Sequence, residues 1–567
     1  MAQANVRAVQ VTTQVRGDAG SARAGRPPSS PRRGAATLAA CVAVIALGLW
    51  ILAPRLAIPA PSLIDDWSAI DNSPGALDAL VHLAYDPDAV GDPRRYRPAA
   101  TAVWNALQWH TFDAPGGMVG PNAWNVLRLV LFAVALVALP VAVLGGSPRG
   151  SPGRAWVVLL AALPPAAILA TPDFATDLAR FGPAEPTLTS GMALGAALLI
   201  LATGRWLRAA RGVAVALGSL GLALWLLGVY QKEASVCFLV LVPFLYLFLD
   251  RRWRENGTIG RPLRRVQAAW VLGVLLVVPV LHMAMQVVRL AGRGQTVYGA
   301  PVPTGAAGIV DRLRESVDVQ WGSMAGLLHT PVWRALAVAL PFLLLAVALD
   351  RRRVPWLALG LAATGWAVLA FQGLGGEAAS RYYLPTVALF GMAAMLALAQ
   401  SPTWIRALTL AAGLGFVVPG SFSAREQVAQ WGQIERDGTR AVGLVAEASP
   451  ARCPVYLGGV GPEVADALPE LVALRPRGPA RPCDPRFAGL MLTPRTIDVA
   501  RSRVDNDAIL EACAGPGWVP VAGTADWVVV GCRRFRPGEV GGRPVSAVLD
   551  QGRLVPGRRY SERLEPG

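Results

Sequence analysis

Residues 205–254 read RWLRAARGVAVALGSLGLALWLLGVYQKEASVCFLVLVPFLYLFLDRRWR. Two apolar runs, 213–229 and 234–249, are joined at the dipeptide Lys232-Glu233 and bounded by arginines, Arg205, Arg208 and Arg211 before and Arg251, Arg252 and Arg254 after. Each run approaches the ~20 residues with which a helix crosses a hydrocarbon core of about 30 Å. Arginines in short loops are retained on the cytoplasmic side of a membrane. The stretch therefore reads as a transmembrane helical hairpin with cytoplasmic ends, its turn at Lys232-Glu233 facing outward.

The same pattern extends in both directions. Apolar runs recur near 36–53, 123–145, 155–171, 187–203, 266–289, 331–349, 355–371, 383–400 and 404–419, which with the first two makes about eleven spans. Every second connection is Arg-rich: Arg149 and Arg154, Arg205 to Arg211, Arg251 to Arg265, Arg351 to Arg353, then Arg406. Arg32 and Arg33 place the N-terminal tail on the same side. The loops 54–122, 172–186, 290–330 and 372–382 are then extracytoplasmic, as is everything after 420. With 53% hydrophobic and 16% charged residues and a mean hydropathy of +0.42, the chain is too apolar for a soluble globular protein of its length. The expected fold is an α-helical polytopic membrane protein.

A formal net charge of +16 raises nucleic acid as a partner. Because much of the arginine lies in cytoplasmic loops and the tail, retention inside and contact with anionic lipid account for it more simply. The tail, 1–34, is polar and bears Gly, Pro and Ser, so it is expected to be disordered. A signal peptide cleaved near Ala57-Ile58-Pro59-Ala60 competes with this reading, but its n-region of about 34 residues would be unusually long. There is no Gly-x-x-x-x-Gly-Lys phosphate loop, which argues against ATP-driven export. The cytoplasmic loops are also short for a nucleotide-sugar domain.

Beyond 420, short β-type runs at Val455-Tyr456-Leu457, Leu490-Met491-Leu492 and Trp527-Val528-Val529-Val530 alternate with Gly/Pro-rich turns and a helical stretch near 424–448. The region 421–567 reads as a small extracytoplasmic α/β domain. Cys453, Cys483, Cys513 and Cys532 all fall in it and suit two disulfides in an oxidising compartment, nearest-neighbour pairing being one of three connectivities. Cys41 and Cys237 fall inside spans.

The first outer loop, 54–122, is too long for a plain connector. It carries the acidic pair Asp65-Asp66, then two segments of helical periodicity around Leu77 to Tyr85 and Ala99 to Trp109, the second with Val103, Trp104, Leu107 and Trp109. Amphipathic, Trp-bearing helices of this kind lie in the membrane interface. Tyr96-Arg97-Pro98 separates them, and Asn122 and Asn125 open the second span.

An acidic pair after the first span, a Tyr-Arg-Pro leading into an apolar helix, Asn residues at the next span, Lys232-Glu233 after the fifth and Arg381-Tyr382-Tyr383-Leu384-Pro385 before the tenth together resemble the GT-C superfamily of polyprenyl-phosphate-sugar-dependent glycosyltransferases. The pattern is most similar to the protein O-mannosyltransferases that bear tetratricopeptide repeats, and to their bacterial relatives. It covers roughly 36–400; the repeats are absent, so a protein acceptor does not carry over.

The resemblance implies sugar transfer from a lipid-linked donor to a glycan, lipid or protein of a bacterial cell envelope, on the outer face of the plasma membrane. Such chemistry needs a carboxylate to take the acceptor's proton and cations to stabilise the departing phosphate. Asp65 or Asp66 is the expected base, the other orienting the acceptor or holding a divalent metal, Mg or Mn, through oxygen. Both acids also fit a helix cap or an ion pair with Arg97. Arg97, Lys232 and Arg381 are candidate phosphate ligands, and Tyr96, Glu233, Tyr382 and Glu185 candidate substrate contacts. Lys232 is the only lysine among 53 basic residues, which singles out its compact ammonium. Asp173, Asp177, Arg180 and Glu185 share the second outer loop, where this superfamily completes its pocket. The loop 290–330, with Arg293, Gln295 and Tyr298, suits a mobile flap. His82, His110 and His329 show no metal-binding spacing, and His282 reads as a packing residue within a span. A transporter or flippase of a lipid-linked glycoconjugate, or a non-catalytic envelope assembly protein, are the rival readings.

Overall fold

A computed structural model describes residues 32–58, 99, 120–144, 154–179, 184–206, 210–255, parts of 273–284 and 307–314, 355–374, 380–447 and seven short strands beyond them. The helices are α1 (Arg32–Leu56), α2 (Gly120–Leu144), α3 (Arg154–Leu169), α4 (Pro172–Ala179), α5 (Glu185–Trp206), α6 (Arg211–Val229), a 3-10 helix (Glu233–Val240), α7 (Leu241–Glu255), α8 (Pro355–Leu374), α9 (Ser380–Leu398) and α10 (Thr403–Glu447). Five of them are long and apolar enough to cross a membrane, or six if α3 and α4 form one broken span. By length and composition the chain is a multi-pass helical membrane protein. Of the eleven runs, 331–349 lies outside the described residues and 266–289 is described in part, as helix; the other nine coincide with helices.

Lipid removes most of the hydrophobic drive for helices to associate, so close packing has to hold them. In α5, Gly191 and Gly195 lie one turn apart and meet α6 at Gly221, Trp225 and Gly228, where a Cβ added at Gly195 would stand 2.8 Å from the Gly221 carbonyl oxygen. Trp225, fully buried, fills the space that the glycines leave. A continuous core runs from Ile51 and Leu52 of α1 through Phe132 of α2, Phe174 of α4, Met192 of α5 and Phe238 of the 3-10 helix to Leu361 of α8 and Leu389 of α9.

Three elements depart from the sequence reading. The second outer loop contains a helix of its own: α3 turns by 82° into α4, which begins at Pro172 and buries Phe174 through Ala179. Proline lacks the N–H that a first helical turn leaves unused, so Pro172 starts the new axis at no hydrogen-bond cost. The run 234–249 is not one α-helix but a 3-10 helix followed by α7, entered through Lys232 in extended conformation (φ −158°, ψ 151°). Lastly, the helical stretch near 424–448 is the end of α10, a single helix of 45 residues that passes Pro419 without stopping.

Polar clamps fix the end of the bundle where α1 finishes and α2 begins. Asn122 donates through Nδ2 to the carbonyls of Leu56 (3.1 Å) and Ile58 (2.8 Å), and Arg55 also donates to Ile58 (3.1 Å). These carbonyls lie at a helix C-terminus, where no intrahelical donor remains. Asn125 does the same for α4, donating to the Ala179 carbonyl at 2.9 Å. At this end α10 is tied to α1 by Arg425, whose guanidinium donates to the Trp50 carbonyl and lies 4.8 Å from the Trp50 ring centroid. Gln427 ties it to α4 through the Asp173 carboxylate at 3.1 Å.

Beyond α10, strands β1 (Val455–Gly458), β2 (Trp518–Gly523) and β3 (Val528–Cys532) form an antiparallel sheet in the order β1-β3-β2, with a bulge between Pro520 and Ala522. Two hairpins follow, β4 (Glu539–Val540) with β5 (Arg543–Pro544), and β6 (Ala547–Asp550) with β7 (Arg553–Pro556). The α/β domain expected for 421–567 is described only through these strands and the end of α10. Cys453, Cys483 and Cys513 lie outside the described residues, as do residues 1–31 of the expected tail.

Candidate functional site

The start of α5, the segment between α6 and the 3-10 helix, and the first turn of α9 meet at one end of the bundle. There Lys232 forms an ion pair with Glu185, 47 residues earlier in the chain, through Nζ and Oε1. Its ammonium also sits 4.0 Å from the centroid of the Tyr382 ring. Lys232 is 5% exposed and Glu185 1%, so the pair is withdrawn from water. Burial on that scale costs each ion several kcal/mol of hydration, to be recovered from the partner and the ring face. Such an arrangement is weak evidence for stability and better evidence for a fixed charge.

Other polar side chains on these and neighbouring elements are buried as well. Asp177 on α4, Asn125 and Arg128 on α2, and Gln231 and Ser235 on either side of Lys232 are all enclosed. Asp177 and Arg128 are each engaged by other groups. By contrast the Gln231 Nε2 and Ser235 Oγ atoms are buried without any hydrogen-bond partner. An orphaned buried donor costs about 1–3 kcal/mol, so two beside a buried ammonium point to a ligand or water that completes them.

One backbone contact links this end to the first outer loop. The Ala99 N–H donates to the Tyr230 carbonyl at 3.3 Å, and Tyr230 is the residue on which α6 ends. Ala99 follows Tyr96-Arg97-Pro98 directly in sequence.

Of the residues singled out in the sequence, Lys232, Glu185 and Tyr382 are brought together. Arg381 and Glu233 have their backbones in the first turns of α9 and of the 3-10 helix, next to this cluster, and their side chains are not described. Asp65, Asp66, Tyr96, Arg97 and Arg180 lie outside the described residues, with His82, His110, His282, His329, Arg293, Gln295 and Tyr298. Asp173 accepts from Gln427 of α10. Among the described residues no three His, Cys, Asp or Glu side chains stand together as a metal site would need. Asp177, also of the second outer loop, is 1% exposed. Gln231 and Ser235 were not anticipated; an uncharged pair flanking a lysine leaves no signal except its distance from Lys232.

Fold and site together define a multi-pass helical membrane protein with a buried Lys–Glu–Tyr cluster at one end of its bundle. No known family profile matches the chain, and no curated protein does. Among solved structures it is similar to ArnT from Cupriavidus metallidurans, crystallised bound to undecaprenyl phosphate, at 14% identity and a TM-score of 0.38, covering 88% of this chain and 98% of that one.

Proposed function

We propose that the chain is a membrane glycosyltransferase of the GT-C kind, moving one sugar from a polyprenyl-phosphate donor to an envelope glycan, lipid or protein on the extracytoplasmic face. The observation that carries this reading is the buried ammonium of Lys232, clamped by Glu185 and Tyr382 beside the unpartnered donors of Gln231 and Ser235. A glycosyl phosphate needs such a set, because cations and donors already in place where negative charge grows do not have to reorganise as the bond breaks.

In the proposed step Asp65 or Asp66 removes the acceptor hydroxyl's proton. The oxygen attacks the anomeric carbon of the sugar, and the bond from that carbon to the phosphate oxygen breaks with its electron pair on the leaving polyprenyl phosphate. Lys232 holds that phosphate, with Arg97 and Arg381 supplying further charge. Glu185 keeps the ammonium in place, and Tyr382 packs against it. Gln231 and Ser235, which can both donate and accept, suit the sugar hydroxyls or the phosphate oxygens. The Ala99–Tyr230 contact brings the residue two positions after Arg97 against the residue two positions before Lys232, which supports this reading. Mg or Mn, held by Asp65 and Asp66, would lower the hydroxyl's pKa and screen the phosphate.

A second reading has one observation in its favour. The 82° break between α3 and α4 and the 3-10 interruption after Lys232 are discontinuities of the kind that transporters build around substrates. Both lie at the end of the bundle and not midway along it, which suits a site for a headgroup at the surface.

The test is transfer by purified full-length protein from a panel of radiolabelled polyprenyl-phosphate sugars, run with Asp65→Ala, Asp66→Ala and Lys232→Met. Transfer by the wild type that collapses in Lys232→Met and in at least one Asp variant is expected. Undiminished transfer in both Asp variants would remove the proposed base. No transfer from any donor, with lipid-linked glycan crossing proteoliposomes instead, would replace the enzyme by the flippase.

A further inference from the structure

The other end of the bundle holds a buried cation of its own. Arg406, in the first turns of α10, is 6% exposed. Its Nη2 donates to the Thr403 hydroxyl at 3.3 Å, which folds the guanidinium back toward the start of the helix. Nε and Nη1 are buried with no hydrogen-bond partner, and among the described residues no carboxylate pairs with it. The neighbouring polar groups do not help, since Gln400 and Ser401 donate to carbonyls of their own helix end, Leu396 and Leu398.

The helix start adds to the deficit of negative charge. The N–H groups of Thr403, Trp404 and Ile405 precede the first intrahelical bond, from Arg406 to Pro402 at 3.2 Å, and carry the positive end of the dipole of a 45-residue helix. A guanidinium and free backbone N–H groups form the donor set that phosphate oxygens satisfy. Trp404 is 68% exposed, as expected of a residue anchored among headgroups. From Tyr382 to Leu398 the length of α9 is roughly 24 Å at 1.5 Å per residue, so this end lies about a membrane thickness from Lys232.

We propose that the first turn of α10, with Arg406 and the N–H groups beside it, binds the phosphate of a net-anionic phosphate ester at the membrane face opposite Lys232. Basic pockets between transmembrane helices hold anionic headgroups in this way. The site does not depend on the sugar-transfer reading. It binds its ligand without reacting with it, and its effect is to seat α10 against the rest of the bundle.

The experiment is thermal unfolding of delipidated full-length protein, titrated with phosphatidylglycerol, phosphatidylcholine or inorganic phosphate. The midpoint rises with phosphatidylglycerol and stays put with phosphatidylcholine; Arg406→Gln needs about fivefold more phosphatidylglycerol or more for the same rise, and Arg406→Lys falls between. A rise with inorganic phosphate equal to that with phosphatidylglycerol, lost in Arg406→Gln, assigns the site to a soluble phosphate ester. If Arg406→Gln does not fold, Thr403→Val keeps the charge but frees its tether, and a weakened response is expected there too. Identical titrations for wild type and the variants would overturn the proposal.

Discussion

Lys232 is fixed from two directions, by a carboxylate and by an aromatic face, and its replacement separates stability from function. Lys232→Met leaves Glu185 buried without its ammonium and is expected to cost about 3–5 kcal/mol of stability, while Lys232→Met with Glu185→Gln recovers much of that loss. Thermal unfolding checks the stability, and sugar transfer in the double variant should stay abolished. Lys232→Arg is not expected to rescue, since a planar guanidinium does not fit where a compact ammonium sits against Tyr382. Replacing Gln231 by Leu removes an orphaned donor, so it should leave the unfolding midpoint equal or higher and raise KM for the donor severalfold; a fall in midpoint with unchanged KM would make it a packing residue. Lys232 was visible in the sequence because one lysine among arginines interrupts an apolar hairpin. Its partner was not assignable: Glu185 is 47 residues away, and no periodicity encodes which span ends meet.

At the scale of elements, the contact between α5 and α6 is the tightest test of the packing. Gly195→Ala puts a Cβ 2.8 Å from the Gly221 carbonyl oxygen, backbone that cannot move aside, and is expected to destabilise by roughly 1–3 kcal/mol. Gly218→Ala on α6, whose new Cβ meets only the Ala202 Cβ at 3.8 Å, is expected to be neutral or mildly stabilising by its helix propensity. Unfolding midpoints of the two variants side by side provide the check. Apolar run length located these helices well, because a span needs a long run and the run is in the sequence. It failed for α4, whose eight residues are too few to show a period. It failed also where α10 leaves the apolar region: Ser421 and Arg425 end the hydropathic signal, yet the backbone continues because Arg425 and Gln427 find partners on α1 and α4.

For the whole molecule, α10 spans about 67 Å at 1.5 Å per residue, twice a hydrocarbon core, and joins the strands beyond it to the end that holds Lys232. The arginine alternation predicts that this end faces outward. Alkaline phosphatase fused after residue 447 should therefore be active, and fused after residue 401 inactive; the opposite pattern would turn the protein over and move the proposed chemistry into the cytoplasm. In the proposed function a polyprenyl phosphate sets its headgroup beside Lys232. An experimental density map of the full-length protein with bound polyprenyl phosphate tests this most directly. Phosphate density within hydrogen-bond distance of Lys232, with the lipid tail leaving between helices, is the predicted result. Headgroup density elsewhere, with Lys232 and Glu185 still enclosed around each other, would contradict it.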